Sequence, residues 1–129
     1  MAGSRFFEVQ LRVTDLEVSA RFYQEVIGVR LEKGEAHAPA NEPHYEAEWG
    51  RWGEDGFALF LLYPARDGRH SSGVTVGFSV ADLDQVHANA GANGVRVIDP
   101  PQQQPWGRNA RYEDPDGNVV TLTEAPRAR

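Results

Sequence analysis

Val13-Thr14-Asp15-Leu16-Glu17 and Val80-Ala81-Asp82-Leu83-Asp84 are the two stretches whose comparison decides the fold. Each follows a run of alternating residues and opens a helical period. Upstream of the first, Phe6 to Val13 reads FFEVQLRV. Phe7, Val9, Leu11 and Val13 fall on one face, and Glu8, Gln10 and Arg12 on the other, the pattern of a half-buried strand. Upstream of the second, Val74, Val76, Phe78 and Val80 alternate with Thr75, Gly77 and Ser79. Downstream of the first, Thr14 is placed to cap a helix and Glu17 to complete a capping box. Val18, Phe22 and Val26 then repeat every fourth residue, with Tyr23 and Ile27 beside them. Gly28 stands where a left-handed residue ends such a helix. Downstream of the second, Leu83, Val86, His87 and Ala90 give an inner face, with Gly91 or Gly94 at the end. Gly28-Val29-Arg30-Leu31, read as the next strand, is matched by Gly94-Val95-Arg96-Val97. Asp82 lies 67 residues after Asp15, and Gly94 lies 66 after Gly28. The chain is therefore an internal duplication of one supersecondary unit.

Each copy carries further strands. His44 to Trp49, HYEAEW, puts Tyr45, Ala47 and Trp49 on one face. Phe57 to Tyr63, FALFLLY, is apolar on both faces and reads as a central strand. Residues 35–43 form a loop, and residues 50–56 a turn region holding Trp52. Trp106 to Glu124 reads as two strands around Asp114-Pro115-Asp116-Gly117-Asn118. Pro115 presets φ for a first turn position, and Gly117 accepts positive φ. The expected class is α+β, with tandem βαβββ repeats over about residues 5–64 and 74–125 and a linker at 65–73. One domain spans residues 1–129. Its two curved mixed sheets surround a cleft. The faces away from the helices carry Glu8, Gln10 and Arg12, then Thr75, Gly77 and Ser79, then Thr121 and Thr123. Small side chains there leave room. Unpaired sheet edges point to a homodimer.

Composition limits the partners. The chain has 129 residues, 40% hydrophobic and 25% charged, with net charge −6. Phosphate binding needs a basic field, so nucleic acid and anionic membrane surfaces are excluded. Zero cysteines rule out a disulfide framework and thiolate chemistry. The opening MAGSRFFEVQ has no long apolar run, so neither a signal peptide nor a membrane span is expected there, and the default location is the cytoplasm. No nucleophile–base pair, phosphate loop or zinc spacing stands out.

Val13 to Ser19, then Phe22-Tyr23, Gly28, Trp106-Gly107 and Asp114 to Asn118 together resemble the vicinal oxygen chelate superfamily. This is the group of glyoxalase I, bleomycin-resistance proteins and extradiol dioxygenases. The resemblance runs from about Phe7 to Glu124. It implies, for the enzymes, a divalent metal held from the first and last strands of each half. The matched positions are Glu8, about Phe60, about Thr75 and about Thr121. Only Glu8 among them suits a metal, and none of His37, His44, His70 and His87 falls at a matched place. No metal and no cofactor is therefore expected.

What the resemblance then implies is its antibiotic-binding branch, which sequesters drugs such as bleomycin, mitomycin or enediynes. An aromatic-lined cleft with a few polar groups suits a planar aromatic small molecule. The candidate ligand-binding residues are Trp106, Trp49, Phe60, Tyr112, Glu8, Tyr45 and Trp52. Packing roles compete for each: a strand start for Trp106, a dimer contact for Trp49 and Trp52, the core for Phe60. Arg108 and Arg111 read as solvated charges, and Asp114 and Asp116 as turn formers. The rival reading is an enzyme using Glu8 as acid or base, or an unusual metal set. A third is a non-catalytic partner subunit whose cleft is filled by its own side chains.

Overall fold

Alternation fixes the strands, and pairing of the first strand with the last fixes each sheet. The computed structural model describes residues 3–38 and 41–126. In the first half β1 (Glu8–Val13) leads into α1 (Leu16–Arg21), which continues as a π-helical segment (Phe22–Ile27). Then come β2 (Glu32–Gly34), β3 (His44–Trp49) and β4 (Ala58–Pro64). The second half repeats the order with β5 (Thr75–Val80), α2 (Leu83–Ala92), β6 (Val97–Gln104), β7 (Gly107–Glu113) and β8 (Val119–Glu124). The sheets run β1-β4-β3-β2 and β5-β8-β7-β6. Strands β1 and β4 pair in parallel, as do β5 and β8, and the neighbours are antiparallel. This is the α+β layout of two βαβββ units that the duplication requires.

The apolar alternates of both sheets meet in one core. Leu11, Val13, Phe60 and Leu62 join Val76, Ala110, Tyr112, Val120 and Leu122 around Tyr23, Val26, Leu83, Val86 and Ala90. The π-helical segment packs on α2. The Tyr23 ring bridges the halves, with centroids 4.9 Å from Phe60 and 6.2 Å from Phe78. Within one chain the polar face of the second sheet stays open, because Thr75, Gly77 and Ser79 are all exposed.

The Asp114–Asn118 turn does more than reverse the chain. Asp114 is buried, and its carboxylate accepts from the amides of Asp116 and Asn118 at 2.9 and 2.8 Å. It also accepts from the Tyr23 hydroxyl at 2.8 Å, across 91 residues. The neighbouring Asp116 carboxylate accepts from the Thr14 amide at 3.0 Å. Buried Asn118 accepts from the Val74 amide and donates to the Ser71 carbonyl, each at 3.0 Å. The turn of the second repeat thereby holds both the helix of the first and the linker. Gly117 takes φ +87°, as the turn demands.

Four local readings change. The α1 cap is Asp15, whose carboxylate accepts from the Val18 amide, and not Thr14, whose amide goes to Asp116. Glu17 serves no capping box; it accepts from Tyr45 Oη at 2.7 Å. Strand β1 begins at Glu8 rather than Phe6, and β2 lies at 32–34 rather than 29–31. The sequence reading did not anticipate that β6 would run through Pro100 and Pro101. It is an edge strand with register shifts between Val97 and Gln102, where a missing amide proton is tolerated.

Burial above all, and then the Asp114 charge, holds the Tyr23 phenol well above the ordinary tyrosine range. The unfolded chain releases that proton near pH ~10. The stability tied to it is thus complete below that pH and is lost as the pH rises further. We expect Tyr23→Phe to lower unfolding free energy by about 1–3 kcal/mol at neutral pH in urea titrations. The variant should also lose part of the alkaline decline that the parent shows; an unchanged decline would remove Tyr23 as its source.

Candidate functional site

Three strands build the floor of the largest described cavity, about 570 Å³ against the polar face of the first sheet. Parallel pairing sets Glu8 opposite Leu59, Gln10 opposite Leu61 and Arg12 opposite Tyr63. Antiparallel pairing sets Glu46 opposite Leu61 on the other side. An apolar strip, Leu59-Leu61-Tyr63, thus runs between polar rows on β1 and β3. At its far end the Arg12 guanidinium lies 4.9 Å from the Tyr63 ring centroid. His44 stacks on Tyr63 with centroids 4.9 Å apart and planes at 27°, and His37 meets His44 edge-on at 5.1 Å.

Charges are arranged unevenly around this strip. Arg12 donates to Glu42 at 2.8 Å, and Arg66 donates to the same carboxylate. The Arg12 hydrogen bond, the largest influence, and the Arg66 one hold the Glu42 carboxyl below the usual range. Burial, and then the negative charge of Glu8, pushes the Tyr63 phenol up against the opposing pull of Arg12. The phenol is a donor at neutral pH, as an ordinary tyrosine is. His44 is only 1% exposed. Its Nδ1 lies 3.1 Å from the Glu42 carbonyl oxygen, which can only accept, so Nδ1 carries the proton and donates. Nε2 is buried without a hydrogen-bond partner.

A second, separate cavity of about 380 Å³ lies between the start of β4 and β5 and shares only Leu59 with the first. Trp49, Phe60, Gly77 and Ser79 are among the residues that line it. Trp49, 43% exposed, packs on Phe78 at 6.2 Å and also borders a cavity of about 430 Å³ at the junction of the halves. The small residues of β5 thus leave room there, as their size suggested.

The seven sequence candidates separate. Glu8 lines the main cavity, and Trp49 the separate cavity beside β5. Phe60 packs in the core, 1% exposed, between Tyr23 and Phe78 at 4.9 and 5.2 Å, and borders the 380 Å³ cavity but not the main one. Strand parity sets this, since Leu59 and Leu61 occupy the cavity face of β4. Tyr112 belongs to the core as well, fully buried, with its hydroxyl 2.8 Å from His87 Nδ1. Tyr45 falls on the helix side, bound to Glu17 and beside Lys33. Trp52 joins Phe7 and Phe57 in a separate aromatic group around a cavity of about 210 Å³. Trp106 is 60% exposed at the turn before β7, apart from the described cavities. Arg108 pairs with Asp84 and Glu124, and Arg111 with Asp99. Sequence reasoning missed Tyr63, His44 and Arg12 as a group. The signal was present in parity: Arg12 and Glu8 share a face, and Tyr63 is four residues after Leu59.

The four-point metal site does not fit this chain. Glu8 faces Leu59, Phe60 is turned into the core, and the second sheet offers Thr75 and Thr121. Among the described residues no group of three or more His, Cys, Asp or Glu converges as a metal site. None of the described helices is long and apolar enough to cross a membrane.

Comparison with known proteins agrees with the fold. The model of the Glyoxalase/Bleomycin resistance protein/Dioxygenase superfamily matches residues 5–122. TnmS3, an antibiotic binding protein from Streptomyces sp. CB03234, is 27% identical with a TM-score of 0.70, over 98% of this chain and 99% of that one. A superfamily member from Sphaerobacter thermophilus DSM 20745 is 25% identical with a TM-score of 0.65, over 94% and 97%. A probable lactoylglutathione lyase from Vibrio parahaemolyticus is 26% identical over 136 residues, 99% of this chain and 96% of that protein. With two βαβββ units, a shared core and a family match over nearly its whole length, the chain belongs to the Glyoxalase/Bleomycin resistance protein/Dioxygenase superfamily.

Proposed function

We propose that this protein binds a planar or aromatic natural product over its first sheet and protects the cytoplasm by sequestering it. The observation that carries this reading is the Leu59-Leu61-Tyr63 strip, walled by polar rows and closed at one end by stacked His44, Tyr63 and Arg12. An aromatic body gains area burial chiefly on half-buried Leu59, since Leu61 and Tyr63 are only 5% and 6% exposed, and each ring contact it makes is worth about 0.5–1.5 kcal/mol beyond area. The likeness to an antibiotic binding protein supports an antibiotic as the ligand. The Vibrio relative keeps the enzyme reading in view, but the donor set described above gives a metal no purchase here.

A second chain completes the cleft in this reading. The polar face of β5 and β8 is uncovered in one chain, and β1 and β5 are both sheet edges. The open second sheet of one chain is then set over the first sheet of its partner. Light scattering on the purified protein should give twice 14.3 kDa; a monomer that still binds ligand would refute the two-chain cleft.

Calorimetric titration with bleomycin, mitomycin C and an anthraquinone-type drug tests the binding itself. At least one should saturate, with the drug recovered unchanged and chelator without effect. Tyr63→Ala should weaken that binding about tenfold, the loss of roughly 1.4 kcal/mol. Trp106→Ala should leave it unaltered. Consumption of the drug, or binding that needs added metal, would turn the reading to an enzyme.

A further inference from the structure

We infer that the cavity over the first sheet selects a ligand that carries an ammonium group beside its aromatic body. The inference rests on the binding reading above and adds the chemistry of the ligand's polar end. With Glu42, Glu8 and Glu46 counted, three carboxylates stand against two guanidiniums, and the cations are already engaged, since Arg12 and Arg66 both donate to Glu42. The other two carboxylates are not. Glu8 has no ion pair or hydrogen bond among the described residues. Glu46 faces only the His44 ring, with Oε2 4.0 Å from Nε2, too far for a hydrogen bond. These two carboxylates flank the leucine strip from β1 and β3.

An independent feature points the same way. His44 is nearly fully buried, and its proton sits on Nδ1, toward the Glu42 carbonyl. In the neutral ring Nε2 is then a lone pair with no donor to meet it, 4.0 Å from the Glu46 carboxylate. A buried acceptor left unmet carries a desolvation cost. One ammonium supplies three N–H donors, enough to serve Nε2 and a carboxylate together. A carboxylate-bearing ligand would instead meet Glu8 and Glu46 with like charge and leave Nε2 unmet.

Daunorubicin and its N-acetyl derivative make a matched pair of probes, the same planar ring system with and without the ammonium. We expect the parent protein to bind daunorubicin at least tenfold more tightly than the N-acetyl form. Glu8→Gln and Glu46→Gln should each shrink that preference, and the double variant should bring the two probes within about twofold, with an unchanged thermal unfolding midpoint as the check on folding. The His44 ring nitrogen signals should shift with daunorubicin and stay in place with the derivative. Equal affinities in the parent protein would overturn ammonium selection and leave the binding reading standing. Failure of both probes to bind would count against both.

Discussion

The hydrogen bond from Tyr23 to Asp114 is the constraint on which the arrangement of the two halves depends. A carboxylate kept from water must be fully occupied, or it costs several kcal/mol. Asp114 meets that demand with two amides from its own turn and one phenol from the other repeat. The phenol reaches it from a π-helical segment, where the wider turn carries Tyr23 between Phe60 and Phe78. Aromatic packing and the buried acid therefore select the same position for the helix. With that position set, both sheets turn their apolar alternates to one core and their polar alternates away from it.

The sequence made the architecture legible because the duplication repeats every local signal. Helix-opening aspartates, terminal glycines and alternating strands recur at nearly one spacing, so each reading in one half supports its counterpart. Element ends were less legible. Thr14 and Asp15 are both good caps, and only the contact with Asp116 decides between them. Strand β6 was hidden by Pro100 and Pro101, which local propensity places in a loop but an edge strand can hold.

The site was harder to read than the fold, for a reason that is geometric. In a strand, one residue of offset exchanges core for cavity. Phe60 and Tyr112 carry the residue types expected of a ligand wall, but parity turns Tyr112 into the core and leaves Phe60 bordering only the cavity beside β5. Leu59, Leu61 and Tyr63 have the other parity. FALFLLY is apolar on both faces, so hydrophobicity alone cannot distinguish them. The register of Glu8 against Leu59 does so at once. His44 was discounted because no metal position matched it. Its importance comes instead from ring stacking on Tyr63 and from a nitrogen left without a partner.

The parallel pairing of first and last strands has a kinetic consequence. Glu8 meets Leu59 only after 51 intervening steps of chain, and Thr75 meets Val119 only after 44. Neither sheet is extended strand by strand from a hairpin; each is closed by its final member. Closure of that kind must meet loop entropy before its contacts form, which slows folding. A growing chain that has not yet made β8 has no partner for β5, no cover for half of the common core and no Asp114 latch to draw on. Each repeat therefore matures as a unit, and the second one completes the first.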